Sequence, residues 1–267
     1  ACDGLVVQGV KLIGVLTYDA QAVQRLSRCG AAAVLADALR NRLDDHDFVY
    51  DAILGLANLV TLDENAAAFR HDEKRLDALG DVLERHGAQD EEIATFALKA
   101  LVRLAADDGI SKAIAELVGK VARAAPDLAE KPQTLAFELI AHLAYVPENR
   151  VALVAQGGVR ALLLALEGPS TASVLERALK TLDVLVAADV EYASVVLELN
   201  GRAAVERHVH ETTRSVADMA RRALETIDAV VGHQPRGQRA ALRGLGMASG
   251  NNSRRASDVE PAGDPLG

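Results

Sequence analysis

Lys99 and Arg103 stand four residues apart in one apolar-periodic segment, and Glu138 and His142 stand four apart in another. On an α-helix that spacing is about one turn, so each pair projects together from one face. The chemistry open to such pairs is recognition: Lys99 and Arg103 attract acidic groups of a partner, and Glu138 attracts basic ones. Lys180 continues the series further along. Asn58 adds a side-chain amide that can bond either a partner backbone or its own neighbouring segment. These six residues are the candidate partner-binding positions.

Bond-breaking chemistry finds no comparable pattern. The chain contains no G-x-x-x-x-G-K-[ST], G-x-S-x-G or H-E-x-x-H sequence. No pair of carboxylates stands out in an apolar setting that would tune an acid and a base. His208-Val209-His210-Glu211 has a strand-like metal spacing, but it falls in or at the end of a helical segment, where residues two apart diverge. Asp44-Asp45-His46-Asp47 reads as an acidic, capping-rich turn, and Gly157-Gly158 as a break between helices rather than a phosphate cradle. The expectation is a protein that is not an enzyme and needs no cofactor or metal.

The elements that must carry these residues repeat. An Ala-apolar-x-x-apolar-x-x-apolar pattern begins at Ala52, Ala97, Ala136, Ala178 and Ala223, with a variant at Gly9. Successive spacings are 43, 45, 39, 42 and 45 residues. Its apolar positions are Val10/Ile13/Leu16, Ile53/Leu56/Leu59, Leu98/Leu101/Leu104, Phe137/Ile140/Leu143, Leu179/Leu182/Leu185 and Leu224/Ile227/Val230. Each set is one helical face. Helical units at this period form a solenoid, because one unit cannot cover its own apolar face and must stack on the next. Residues 155–186 show a full unit: a Gly break, a short apolar helix over Val159–Leu166, a Gly168–Thr171 turn, and a long helix over Ser173–Val186.

Composition agrees. Half of the 267 residues are apolar, only 3% are aromatic and there is no Trp, so Ala and Leu fill the interior. The net charge is −9, with no basic stripe of the kind that binds nucleic acid and no polybasic membrane tether. No apolar run reaches the length of a membrane span. The two cysteines, Cys2 and Cys29, form no framework, which suits a reducing compartment. A cytoplasmic location, with the nucleus as an alternative, and a monomeric state are the expectations.

Several segments resemble armadillo repeats. Val154-Ala155-Gln156-Gly157-Gly158-Val159-Arg160-Ala161-Leu162 is similar to the start of the second helix of such a repeat, and Ala52-Ile53-Leu54-Gly55-Leu56-Ala57-Asn58-Leu59 to its third helix. Asp63-Glu64-Asn65 and Pro147-Glu148-Asn149 match each other in phase, and Cys29-Gly30-Ala31 and Asn200-Gly201-Arg202 occupy the Gly-turn position. The resemblance implies an all-α, right-handed solenoid of about five to six repeats over residues 1–231, the first of them incomplete. It implies upstream helices before Ala1. Asp72-Glu73-Lys74 replaces one Gly turn, and the unit around Gly119, with Pro126 and Pro132, is expected to have a trimmed second helix. For these two units HEAT repeats are the alternative.

The resemblance also implies that third helices line a groove that holds a partner peptide or protein. In the family, Asn and Trp side chains form a ladder there; in this chain Asn58 is the only Asn at the ladder position, and no Trp exists. Reading of nuclear-localisation peptides is therefore not expected. The expected function is a non-catalytic binding scaffold, with the substrate-binding region of an armadillo-type ubiquitin ligase as the alternative. Residues 232–267 hold five Arg against three acidic residues and few apolar ones, and are expected to be a disordered tail. Within it, a short helix around Arg239–Leu245 and a phosphorylation site at Ser257, in Arg254-Arg255-Ala256-Ser257, are expected features.

Overall fold

The computed structural model of the protein describes residues 2–70 and 72–232. The tail helix around Arg239–Leu245 and Ser257 lie outside them. Among the described residues there are fourteen α-helices and no strand. They are α1 (Cys2–Leu16), α2 (Ala20–Arg28), α3 (Ala31–Asn41), α4 (His46–Leu59), α5 (Glu73–His86), α6 (Glu91–Leu104), α7 (Asp108–Ala124), α8 (Glu130–Tyr145), α9 (Arg150–Ala155), α10 (Gly158–Glu167), α11 (Ala172–Ala188), α12 (Val190–Glu198), α13 (Gly201–Glu206) and α14 (Arg214–Gly232). The chain forms two compact units, residues 1–181 and 182 onward.

In the first unit the third helices of successive repeats stack in order, α1 on α4, α4 on α6 and α6 on α8. Their apolar stripes form the core. Ile53, Leu56, Leu59, Leu98, Leu101, Leu104, Phe137, Ile140 and Leu143 are all buried, as are Leu179, Leu182 and Leu185 on α11. Each such side chain contributes roughly 1.5–3 kcal/mol over an exposed one.

The first copy departs from the expected stripe. Val10 is buried, but Ile13 is only half-buried and Leu16 is 39% exposed. The inward face here is instead Val10 and Gly14 on α1, followed by Thr17 in the turn after it. Gly14 explains the shift, since a Cβ there would lie 2.8 Å from the Asp51 carbonyl oxygen. Two backbones can approach this closely only where the side chain is missing, so α1 rotates to set Gly14 against α4. In the last copy, too, Leu224 and Val230 are half-buried, and α14 turns Ala220, Ala223, Ile227 and Val231 inward.

The Gly turns appear where expected. Gly30, Gly157 and Asn200 all adopt left-handed backbone, with φ of 72°, 86° and 61°, immediately before α3, α10 and α13. Gly has no Cβ to clash in that region, and Asn is among the few other residues that tolerate it. The two irregular repeats solve the corner differently. Asp72 caps α5 by accepting from Lys74 N. In the next repeat no corner exists: Gly119 lies inside α7, a continuous 17-residue helix. The shortness there comes from the merging of first and second helices, not from a trimmed second helix. Pro126 sits in the 3₁₀ turn after α7 and Pro132 in the first turn of α8, where a missing N–H costs little.

Polar contacts repeat at the same period. Between successive second helices, Arg75 donates to Asp37 at 2.8 and 2.9 Å, Lys120 Nζ to Asp81 at 2.7 Å, and Arg123 Nε to Glu84 at 2.8 Å. Asn65 is a buried latch: its Oδ1 accepts from Ser27 Oγ at 2.9 Å and its Nδ2 donates to the Leu59 carbonyl at 2.7 Å. Asn149 stands in phase with it and is 1% exposed, yet neither of its side-chain polar atoms has a partner among the described residues.

In the second unit α12, α13 and α14 pack together. Asp189 caps α12 by accepting from Glu191 N, Arg202 pairs with Asp228, and Arg222 Nε lies 3.0 Å from Asp183 Oδ2.

Candidate functional site

The third helices position the candidate residues by leaving one edge of each apolar stripe uncovered. On α6, Ala97, Leu98 and Leu101 face inward, and the same helical period turns Lys99 and Arg103 outward, where both are exposed. On α8, His142 is exposed and Glu138 half-buried; on α11, Lys180 is exposed. Among the described residues, no salt bridge or side-chain hydrogen bond engages Lys99, Arg103, Glu138, His142 or Lys180. The ammonium of Lys99 lies 5.9 Å from the centroid of the Phe96 ring, a cation–π distance within its own helix.

Asn58 differs from the others. It is half-buried, and its Nδ2 donates to Thr17 Oγ1 at 3.0 Å, from α4 to the turn that follows α1. Thr17 passes the bond on to the Gly14 carbonyl at 2.7 Å. One amide N–H of Asn58 is thus committed to the neighbouring repeat. Because α4 stacks on α6 and α6 on α8, the structure brings Asn58, Lys99, Arg103, Glu138 and His142 onto consecutive helices.

Beside this face lies an arrangement that sequence periodicity missed. Tyr50 on α4 donates its phenol to Glu92 at 2.8 Å and meets Phe96 edge-on, with ring centroids 6.1 Å apart. The hydrogen bond to the Glu92 carboxylate, with burial and the charges around it, pushes the phenol up to about 12. His46 Nε2 lies 3.1 Å from Asp90 Oδ2, and His86 Nε2 lies 2.6 Å from the Leu43 carbonyl. The sequence signal for these contacts is a separation of 40 to 44 residues between complementary polar groups, which is one repeat.

The other sequence candidates take structural positions. Asp45 caps α4 by accepting from Phe48 N, and Asp44 pairs with Arg85. His208 is buried in the turn after α13, with its Nδ1 3.5 Å from Glu211 Oε2. At Gly158 a Cβ would lie 2.8 Å from the Leu153 carbonyl oxygen, so that glycine serves helix packing. Among the described residues no single helix is long and apolar enough to cross a membrane.

Stacked three-helix units with left-handed corner residues and an outward-facing third helix define an armadillo-like repeat array. No protein-family model matches the chain, and no curated protein sequence matches it. Solved structures do. A designed armadillo repeat protein is similar at 20% identity and a TM-score of 0.62, over 82% of this chain and 92% of that one. Another, in complex with the peptide (KR)4, is 20% identical with a TM-score of 0.63, over 83% and 91%. Computationally designed armadillo repeat proteins for modular peptide recognition match at 20% identity and 0.63, over 84% and 92%. The chain therefore has the armadillo-like repeat fold.

Proposed function

We propose that this protein is a non-catalytic scaffold that holds an extended, acidic partner segment across the third-helix face of α6 and its neighbours. The observation that carries the reading is the exposed pair Lys99 and Arg103, one turn apart and in no ion pair among the described residues, in a chain of net charge −9. In so acidic a protein, two cations without a counter-ion among the described residues are available to a carboxylate from outside. Glu138 and His142 on the next helix give the segment a second polar contact, and Asn58 retains its Oδ1 and one N–H for the peptide backbone. One structural neighbour is solved with the peptide (KR)4; Lys99 and Arg103 carry the same sign as that peptide, which favours an acidic ligand here. The proposed location is the cytoplasm.

The test is fluorescence anisotropy with labelled (DE)4 and (KR)4 octapeptides. The expected result is preferential binding of the acidic peptide, weakened about tenfold or more by Lys99→Glu/Arg103→Glu. Equal binding by the wild type and the charge-reversed protein would overturn the assignment.

A further inference from the structure

On the edge formed by the turns between second and third helices, the first unit contains a cleft of about 360 Å³. Its apolar walls are Pro126, Phe137, Ala161, Leu164, Ala165 and Pro169. Two junctions earlier the same edge is bridged. There His86, at the end of α5 and eleven residues before Ala97, sends its ring to the Leu43 carbonyl at 2.6 Å. The residue eleven before Ala178 is Glu167, and it stands exposed at the cleft. A charged side chain does not plug an apolar gap, because the carboxylate would lose its hydration without a partner. The gap stays open for that reason, and Leu164 remains 41% exposed at its wall.

Among the residues that line the cleft, Glu167 is the one charged side chain. Asp127 follows Pro126, Glu130 opens α8, and both are exposed, as is Glu167. None of these three carboxylates is in a salt bridge among the described residues, and the exposed cations next to the cleft's elements are Lys131 on α8 and Arg160 on α10. Of the cleft's hydrogen-bonding side chains, Gln133 Nε2 already donates to the Ala125 carbonyl at 3.1 Å and Ser170 Oγ to the Ala165 carbonyl at 2.7 Å. What the site still offers is apolar surface and the Glu167 carboxylate, which has no salt bridge among the described residues.

We infer that this cleft is a second docking site, which takes one aliphatic side chain of a linear peptide with a Lys or Arg next to it. The aliphatic group covers Phe137, Leu164 and the two prolines, and the neighbouring cation meets Glu167. The site lies away from Lys99 and Arg103 and asks for the opposite charge, so it is independent of the third-helix face.

A random heptapeptide library displayed on phage, selected on immobilised protein, tests it. The expected consensus is Leu, Ile or Met beside Lys or Arg. A synthetic peptide of that consensus should bind about tenfold or more weakly to Leu164→Lys and to Glu167→Lys. Both positions are exposed, so the variants should keep the wild-type melting temperature, and Lys99→Glu/Arg103→Glu should leave this peptide's affinity unchanged. A selection without such a consensus, or peptides that bind both cleft variants as well as the wild type, would overturn the proposal.

Discussion

The Asn58 side-chain amide donates to Thr17 Oγ1 at 3.0 Å and thereby ties α4 to the turn after α1. The same residue occupies the position from which third helices are expected to bond a partner backbone. Removing it tests the structural half of that double assignment. Asn58→Ala should lower stability by about 0.5–1.5 kcal/mol, the usual net worth of one such bond. Urea denaturation followed by circular dichroism measures it; an unchanged midpoint would mean that the bond to Thr17 contributes nothing in solution.

Gly14 sets how closely α1 approaches α4. With a Cβ only 2.8 Å from the Asp51 carbonyl oxygen, Gly14→Ala forces the helices apart. The expected cost is about 1–3 kcal/mol, as for other overpacked contacts, despite the better helix propensity of Ala. A rise in melting temperature would contradict the close crossing.

Asn65 and Asn149 occupy matching places with different hydrogen bonding. Asn65→Ala removes two buried hydrogen bonds, to Ser27 and to the Leu59 carbonyl, which keeps only the Leu62 N–H at 3.1 Å, and should cost about 1–3 kcal/mol. Asn149→Ala removes buried polar atoms that have no partner and should be close to neutral. Equal losses in parallel melts would show that Asn149 is bonded after all.

Arg75 governs the behaviour of Asp37 in acid. Its hydrogen bond and charge hold the Asp37 carboxyl below the ordinary 3.8, against an opposing effect of burial. A depressed folded-state value means that the ion pair stabilises the fold fully above about pH 4 and loses that contribution as pH falls through the lowered value. Asp37→Asn should therefore flatten the stability-versus-pH curve below pH 4, read from urea midpoints, and lower the plateau slightly at neutral pH. The effect should be small because the carboxylate is partly exposed.

Much of the architecture was legible in the chain. The four central stripes could be read because burial on a helix recurs at 3.6 residues and stacking recurs at one repeat. Gly30 and Gly157 announced left-handed corners for the same kind of reason: a local steric rule acts within a few residues. Where the reading failed, the deciding contact was distant. Nothing within residues 9–16 reveals that Gly14 must face Asp51, thirty-seven positions away, and so the stripe through Ile13 and Leu16 was assigned to the wrong side of α1. The merging of the first and second helices into α7 likewise depends on what packs around Gly119, which no local signal reports.

By itself the sequence determined the repeat period, the helical class and the residues that each third helix turns outward, because those follow from local periodicity. Only the tertiary structure decided that Asn58 bonds Thr17, that Lys99 and Arg103 have no counter-ion among the described residues, and that His86 bridges one inter-repeat junction while Glu167 lines an open cleft at another. The two bonds, of Asn58 to Thr17 and of His86 to the Leu43 carbonyl, join groups about one repeat apart in sequence. Which of two polar groups meets at that distance is settled by how closely and at what rotation the helices stack.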